Sequence, residues 1–279
     1  MSSGTDRQAD LPHSLLLVGA GKMGGAMLEG WLAKGLDPAR VTVLDPNPSP
    51  ALLDFAGTAG LRLNPDKAGL APPEVLVLGI KPQALAEAAP DIAPFAGPET
   101  LVISILAGKT VGDLSRALPQ AGAIVRAMPN LPASIGSGAT GAYASPAATP
   151  RQRELTQALL SAVGTVEWIE REELIDAVTA LSGSGPAYVF HLVECLSSAG
   201  REVGLDPEVA ERLARQTVIG AAELLAGSGL DPAVLRRNVT SPGGTTAAAL
   251  DILMAEDGLG ALMRRAVEAA KRRAAELSG

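Results

Sequence analysis

The chain has 279 residues, 47% of them hydrophobic and 19% charged, with a formal net charge of −7. This is a globular composition with enough apolar residues for one large or two modest domains. The acidic balance, with no basic stripe, excludes a nucleic-acid partner. Aromatic residues make up only 3%, so any core must be built from Leu, Val, Ile and Ala.

Residues 1–13 are polar and read as a flexible tail. No secretory apolar region follows them, and no run is long enough to span a membrane. The single cysteine, Cys195, rules out an internal disulfide. These features fit a cytoplasmic protein in a reducing compartment. Residues 14–18 form an apolar run that leads directly into Gly19, Gly21 and Gly24, after which the pattern becomes helical. A strand, a tight glycine turn and a helix in this order form the context in which G-x-G-x-x-G binds a dinucleotide. The glycines let the backbone approach a pyrophosphate, which rests on the helix N-terminus. A second strand, 41–44, ends at Asp45. This carboxylate lies about twenty residues past the last glycine, where an acidic group takes ribose hydroxyls. Further short apolar runs at 75–79, 101–105, 123–126, 138–144 and 165–169 alternate with helical stretches. The expected fold of residues 14–170 is therefore a doubly wound Rossmann domain.

From residue 171 to 279 the strands stop. Helices are expected at 174–181, 187–203, 207–226, 232–238, 246–256 and 259–277, with Pro207 and Pro232 at helix starts. The expected second domain is all-α. Val189, Phe190, Leu192, Val193, Cys195 and Leu196 nearly encircle the helix that begins near Ala187. A helix apolar on most sides is buried on most sides, which a domain of this size achieves most simply by self-association. Cys195 and His191, inside this apolar run, are expected at core positions. No cluster of His, Cys, Asp or Glu has metal spacing, so no metal is expected.

Four segments carry a resemblance to a known family. They are V-G-A-G-K-M-G (Val18 to Gly24), G-I-K-P (Gly79 to Pro82), R-A-M-P-N-L-P (Arg126 to Pro132), and the pair L-S-G-S-G-P-A-Y-V-F (from Leu181) and S-P-G-G-T-T (from Ser241). In this order the sequence resembles Δ1-pyrroline-5-carboxylate reductase over about residues 14 to 275. The last pair is the most specific, since Rossmann proteins in general lack it. Leu131 stands where the family often has Thr. The resemblance implies a Rossmann domain followed by an all-α dimerisation domain, a homodimer or larger homo-oligomer, and reduction of a cyclic imine to L-proline with NADH or NADPH. It implies cofactor contacts from Gly19, Gly21, Lys22, Met23, Gly24, Asp45, Lys81, Pro82 and Asn130. Lys81 and Asn130 lie just past expected strand ends, where a doubly wound sheet binds its ligands.

Ser182 and Ser184 precede one helix, and Gly243, Gly244, Thr245 and Thr246 lead into another. Each loop offers free backbone N–H groups at a helix N-terminus, an anion site that needs no cationic side chain. The family substrate carries a carboxylate, for which Gly243, Gly244 and Thr245 are the expected clamp. Thr246 is the expected partner of the ring nitrogen and Ser182 and Ser184 are further substrate contacts. No strong acid is evident, which favours C=N over C=O reduction, because an imine is basic enough to arrive protonated. Asp45, with no Lys or Arg between residues 41 and 61, favours NADH over NADPH. The alternatives are another imine or β-hydroxyacid dehydrogenase of similar layout, or a non-catalytic sensor of the cofactor. The first should carry a lysine on the long helix after the Rossmann domain, and there is none between residues 187 and 203.

Overall fold

The computed structural model describes residues 11–278. The first ten residues of the expected tail therefore lie outside the described residues. Leu11 packs against the core, Pro12 is buried, and the His13 amide donates to Glu74 Oε2 at 2.6 Å. Ordered structure thus begins before the first strand.

Contacts divide the described chain into two compact units, residues 11–183 with 271–278, and residues 184–270. The first is an eight-stranded sheet. Its strands are β1 (Leu15–Val18), β2 (Val41–Leu44), β3 (Arg62–Leu63), β4 (Val75–Leu78), β5 (Leu101–Ser104), β6 (Ala123–Met128), β7 (Gly138–Ala144) and β8 (Gly164–Trp168). Their spatial order is β3-β2-β1-β4-β5-β6-β7-β8. All neighbours pair in parallel except β6 and β7, which are antiparallel. The sheet winds outward in both directions from β1 and β4, as the alternation of strands and helices predicts.

Parallel strands covered on both faces are apolar at successive positions, and period two sends neighbours to opposite faces. Leu15 and Leu17 enter a core with Met27, Leu28 and Trp31 from helix α1 (Lys22–Ala33) and with Leu155 and Leu159 from a later helix, Pro150–Leu160. Leu16 and Val18 enter a second core with Leu85, Ile92, Phe95 and Leu114. Trp31 is fully buried, and its indole N–H donates to the Leu159 carbonyl at 2.8 Å. Removing its side chain would cost about 3–5 kcal/mol. The remaining helices of this unit are α2 (Pro50–Ala59), α3 (Leu85–Ile92), α4 (Val111–Ala117), α5 (Pro150–Leu160) and the short α6 (Ile175–Val178). β3 was not expected. Two residues are too short for periodicity to register, and pairing of Thr42 with Arg62 and Val43 with Leu63 makes them a strand.

The helix expected over 174–181 is interrupted. α6 passes into a π-helical turn, Thr179–Gly183. Gly183 lies against β6, where a Cβ would come 2.9 Å from Met128 Cε, and Gly141 of β7 gives similar room to Val178 of α6. Arg126 of β6 is 4% exposed and reaches Glu172 at 3.4 Å and Asp176 of α6 at 3.5 Å. Ser278 donates to the same Asp176 carboxylate at 3.2 Å, which fastens Ser278 to this unit.

The second unit is helical: α7 (Gly185–Glu202), α8 (Pro207–Ser228), α9 (Pro232–Asn238), α10 (Thr245–Leu253) and α11 (Leu259–Ser278), whose last turns belong to the first unit. α7 and α8 pack closely at Gly200, where a Cβ would sit 3.2 Å from Ala210 Cβ. No residue of α7 is buried. Phe190, Leu192 and Leu196 are exposed, as are His191 and Cys195. The core positions expected for His191 and Cys195 are therefore corrected. α8 covers one side of the helix, and an apolar run does not show which chain covers the other. His191 instead pairs through Nδ1 with Glu194 at 2.9 Å and lies 3.5 Å from Cys195 Sγ. Among the described residues no helix is long and apolar enough to cross a membrane.

Candidate active site

β1, β2, β4, β5 and β6 run parallel, so their carboxyl ends share one edge of the sheet. At the end of β1 the chain turns through Gly19, at φ 87°, a left-handed conformation that favours glycine. The Gly19 amide donates to the Leu44 carbonyl at 2.8 Å. The turn is wedged tightly. A Cβ on Gly79, at the end of β4, would sit 2.6 Å from the Gly19 carbonyl oxygen, and one on Gly24 would collide with the same atom. Gly21 differs, because a Cβ there would meet nothing within 4 Å. It is the N-cap of α1 and has no capping side chain. Open space at the middle glycine, facing the exposed Lys22 and half-buried Met23 at a helix N-terminus, fits a cofactor pyrophosphate.

Asp45 sits where the sequence places it, and its carboxylate also braces the glycine turn. Oδ2 accepts the Ala20 amide at 2.8 Å and Oδ1 the Asn47 amide at 2.9 Å. Asn64 in turn grips Asp45. Its Oδ1 accepts the Asp45 amide at 2.9 Å, and its Nδ2 donates to the Asp45 carbonyl at 2.7 Å. Asn64 has φ 48°, the only positive value outside glycine among the described residues. Sequence reasoning missed Asn64. The available signal was an Asn-Pro pair, which marks a turn without naming what the side chain holds.

Lys81 follows β4 as an exposed residue opening the turn Pro82–Ala84, and among the described residues it makes no ion pair. Lys81 and Pro82 therefore lie at the carboxyl edge with the glycine turn. Asn130 lies past β6 and opens the turn Leu131–Ile135. Its side chain faces protein backbone: Oδ1 accepts the Ala139 amide at 2.8 Å, and Nδ2 donates to the Ser182 carbonyl at 3.1 Å. Leu131 is half exposed.

Within the second unit, Gly243 adopts φ 67° and Gly244 is the N-cap of α10. The Gly244 amide closes the turn onto the Ser241 carbonyl at 3.0 Å. Among the described residues the amides of Gly243, Thr245, Thr246 and Ala247 meet no acceptor. Thr246 is half-buried, and its hydroxyl makes no hydrogen bond among the described residues. In the other loop, Ser182 donates to the Val178 carbonyl at 3.2 Å. No group of three or more His, Cys, Asp or Glu among the described residues could hold a metal ion.

A family model described as pyrroline-5-carboxylate reductase dimerisation matches residues 172–277, and one described as NADP oxidoreductase coenzyme F420-dependent matches residues 14–108. The pyrroline-5-carboxylate reductase of Pseudomonas aeruginosa is 41% identical over 265 residues, 95% of this chain and 96% of that one. The chain belongs to the pyrroline-5-carboxylate reductase family. The Synechocystis reductase is 40% identical over 94% of this chain and 97% of its own. Among solved structures, the Coxiella burnetii reductase superposes with a TM-score of 0.88 at 36% identity, covering 97% of this chain and all of that one. A Plasmodium falciparum reductase with NADP bound gives 0.79 at 27% identity, covering 97% and 100%. The reductase thus joins a nicotinamide-cofactor fold to the helical half that the family model describes.

Proposed function

We propose that this enzyme reduces 1-pyrroline-5-carboxylate to L-proline, the last step of proline biosynthesis. The observation that carries the reading is near-complete coverage at 41% identity by a reductase of that name, including both helix-start loops. When bound, a reduced nicotinamide supplies the hydride that converts the imine carbon to an amine carbon. The protein's part is alignment. The open side of Gly21 and the N-terminus of α1 receive the pyrophosphate, and Lys22, Met23, Lys81 and Pro82 border the cofactor. The free amides at the start of α10 hold the substrate carboxylate, with Gly243 and Gly244 shaping the turn that presents them. The Thr246 hydroxyl bonds the ring nitrogen, which arrives protonated from solvent as the iminium and becomes the amine when the carbon takes the hydride. Ser182 and Ser184 complete the substrate contacts. α7 contains no lysine, which counts against a β-hydroxyacid dehydrogenase.

Asp45 supports a preference for NADH, because a 2′-phosphate beside this carboxylate meets like charge. Asp45→Ser should narrow the preference, and should also weaken both cofactors by releasing the Ala20 amide. The reductase is further proposed to dimerise through its helical unit. Support comes from the uncovered Phe190, Leu192 and Leu196 on α7. Leu192→Glu should disperse the assembly, and a native mass of one 28.3 kDa chain with full activity would remove this reading. The decisive assay is oxidation of NADH and of NADPH with pyrroline-5-carboxylate. Absence of turnover with both would reject the reductase, and a higher kcat/KM with NADPH would reject the cofactor preference.

A further inference from the structure

Asn130 connects two segments that are 52 residues apart in sequence. One is the end of β6, from which Asn130 emerges. The other is the π-helical turn Thr179–Gly183, which carries Ser182 and leads directly into Ser184. The need for this connection is written in the sequence around Ser182. In a continuous α-helix the Ser182 carbonyl would accept from the amide four residues later. That residue is Pro186, which has no N–H. The amide five residues later, that of Ala187, donates to the Ser184 carbonyl instead. Neither position therefore supplies the Ser182 carbonyl with the donor a regular helix would, and Asn130 Nδ2 donates to it at 3.1 Å. The other half of the Asn130 amide is fixed by the Ala139 amide at the start of β7, at 2.8 Å. A primary amide carries an acceptor and a donor pointing in different directions, which is what this bridge requires. Aspartate lacks the donor when ionised, and leucine lacks both groups.

We infer that Asn130 is a positioning residue: by bridging the Ala139 amide and the Ser182 carbonyl, it fixes the course of the Ser182–Pro186 loop and so the placement of its serines for the substrate. This differs from a direct cofactor contact, the role implied by resemblance. The inference rests on the proposal that Ser182 and Ser184 meet substrate. A buried or half-buried polar group that loses its partner destabilises the conformation that left it unpaired, so the π-helical turn should become one of several alternatives when Asn130 is removed.

The test compares wild type with N130A, N130D and S184A in the full-length enzyme. Cofactor Kd is measured by fluorescence, kcat and KM are measured for pyrroline-5-carboxylate, and hydrogen exchange is followed over residues 180–187. N130A should speed exchange in this segment and lower kcat/KM about tenfold, the scale of one lost hydrogen bond. Its NADH Kd should stay within about twofold. N130D keeps the acceptor for Ala139 and recovers the donor only when protonated. The ratio of its kcat/KM to that of wild type should therefore rise as pH falls, while the same ratio for N130A stays flat. A raised cofactor Kd in N130A with unchanged exchange over 180–187 would overturn the inference and return Asn130 to the cofactor site. Faster exchange with unchanged kcat/KM in both N130A and S184A would uphold the bridge to Ser182 and reject the loop as a substrate contact.

Discussion

Replacing Thr246 with valine removes one hydroxyl and keeps the shape of the side chain. If Thr246 capped its helix, the loss would appear as stability, about 1 kcal/mol. The structure removes that route: the N-cap of α10 is Gly244, and Thr246 is already the second helical residue. Its hydroxyl has no protein partner among the described residues, and Thr and Val have similar helix propensities. The melting temperature of Thr246→Val should therefore equal that of wild type. A hydrogen bond to a charged ring nitrogen is worth about 1.5–3 kcal/mol, so kcat/KM should fall roughly ten- to a hundredfold. Cofactor Kd should not move, because the glycine turn and Asp45 lie in the other unit. Thr246→Ser should recover most of the lost rate. The assay is steady-state reduction of pyrroline-5-carboxylate beside a thermal melt and a cofactor titration. Unchanged turnover in Thr246→Val would refute the assignment and direct the search for the partner of the ring nitrogen to Ser182, Ser184 or water.

Gly24→Ala should abolish cofactor binding, since its Cβ would strike the Gly19 carbonyl, backbone that cannot move aside without shifting β1 or α1. An NADH titration and a far-ultraviolet spectrum would separate lost binding from lost fold. Thr140 is 2% exposed, and its hydroxyl is unpaired in the interior. Thr140→Val should leave denaturation stability unchanged or raise it by about 1 kcal/mol, and a loss of that size would show that the hydroxyl has a partner. Arg126→Met leaves Glu172 and Asp176 facing each other without their cation, and urea denaturation should show a loss of about 3–5 kcal/mol. Burial raises the Asp113 pKa, but bonds from the Thr110 amide and hydroxyl, with Arg116 and Lys109 nearby, bring it below its ordinary 3.8. Asp113 thus stabilises the fold above the pKa of the unfolded chain, and this contribution is lost as pH falls through the folded value. Asp113→Asn should flatten the stability curve on the acid side, measured by denaturation at pH steps between about 5 and 3.

The sheet was legible because parallel strands buried on both faces have to be written as unbroken apolar runs. β2 and β7 have the expected bounds, and the other expected strands, all but β3, shift by two residues or fewer at an end. The glycine turn was legible because its spacing is itself the constraint. Side-chain bonds to distant backbone left no local mark. Nothing near Asn64 shows that it grips Asp45 from 19 residues away, and nothing near Asn130 shows that it reaches Ser182. The π-helical turn was read as plain helix for the same reason, although Pro186 gave a hint that the Ser182 carbonyl would need a donor from elsewhere. Cys195 and His191 were misplaced because periodicity reports an apolar face without reporting its cover.

Residues 271–278 belong to the same compact unit as the glycine turn, although 87 residues of the other unit separate them in sequence. Leu277 closes over Gly108, and Ser278 bonds Asp176, the carboxylate that Arg126 also holds. This gives synthesis a direction. A ribosome that has made the whole sheet, complete by residue 168, must still make the 87 residues of the other unit before this fastening. Chains truncated at residue 270 should therefore be cut by protease near residues 105–110 and 172–176, and chains that include residues 271–278 should be protected there. Equal protection in both would show that the sheet needs nothing from residues 271–278.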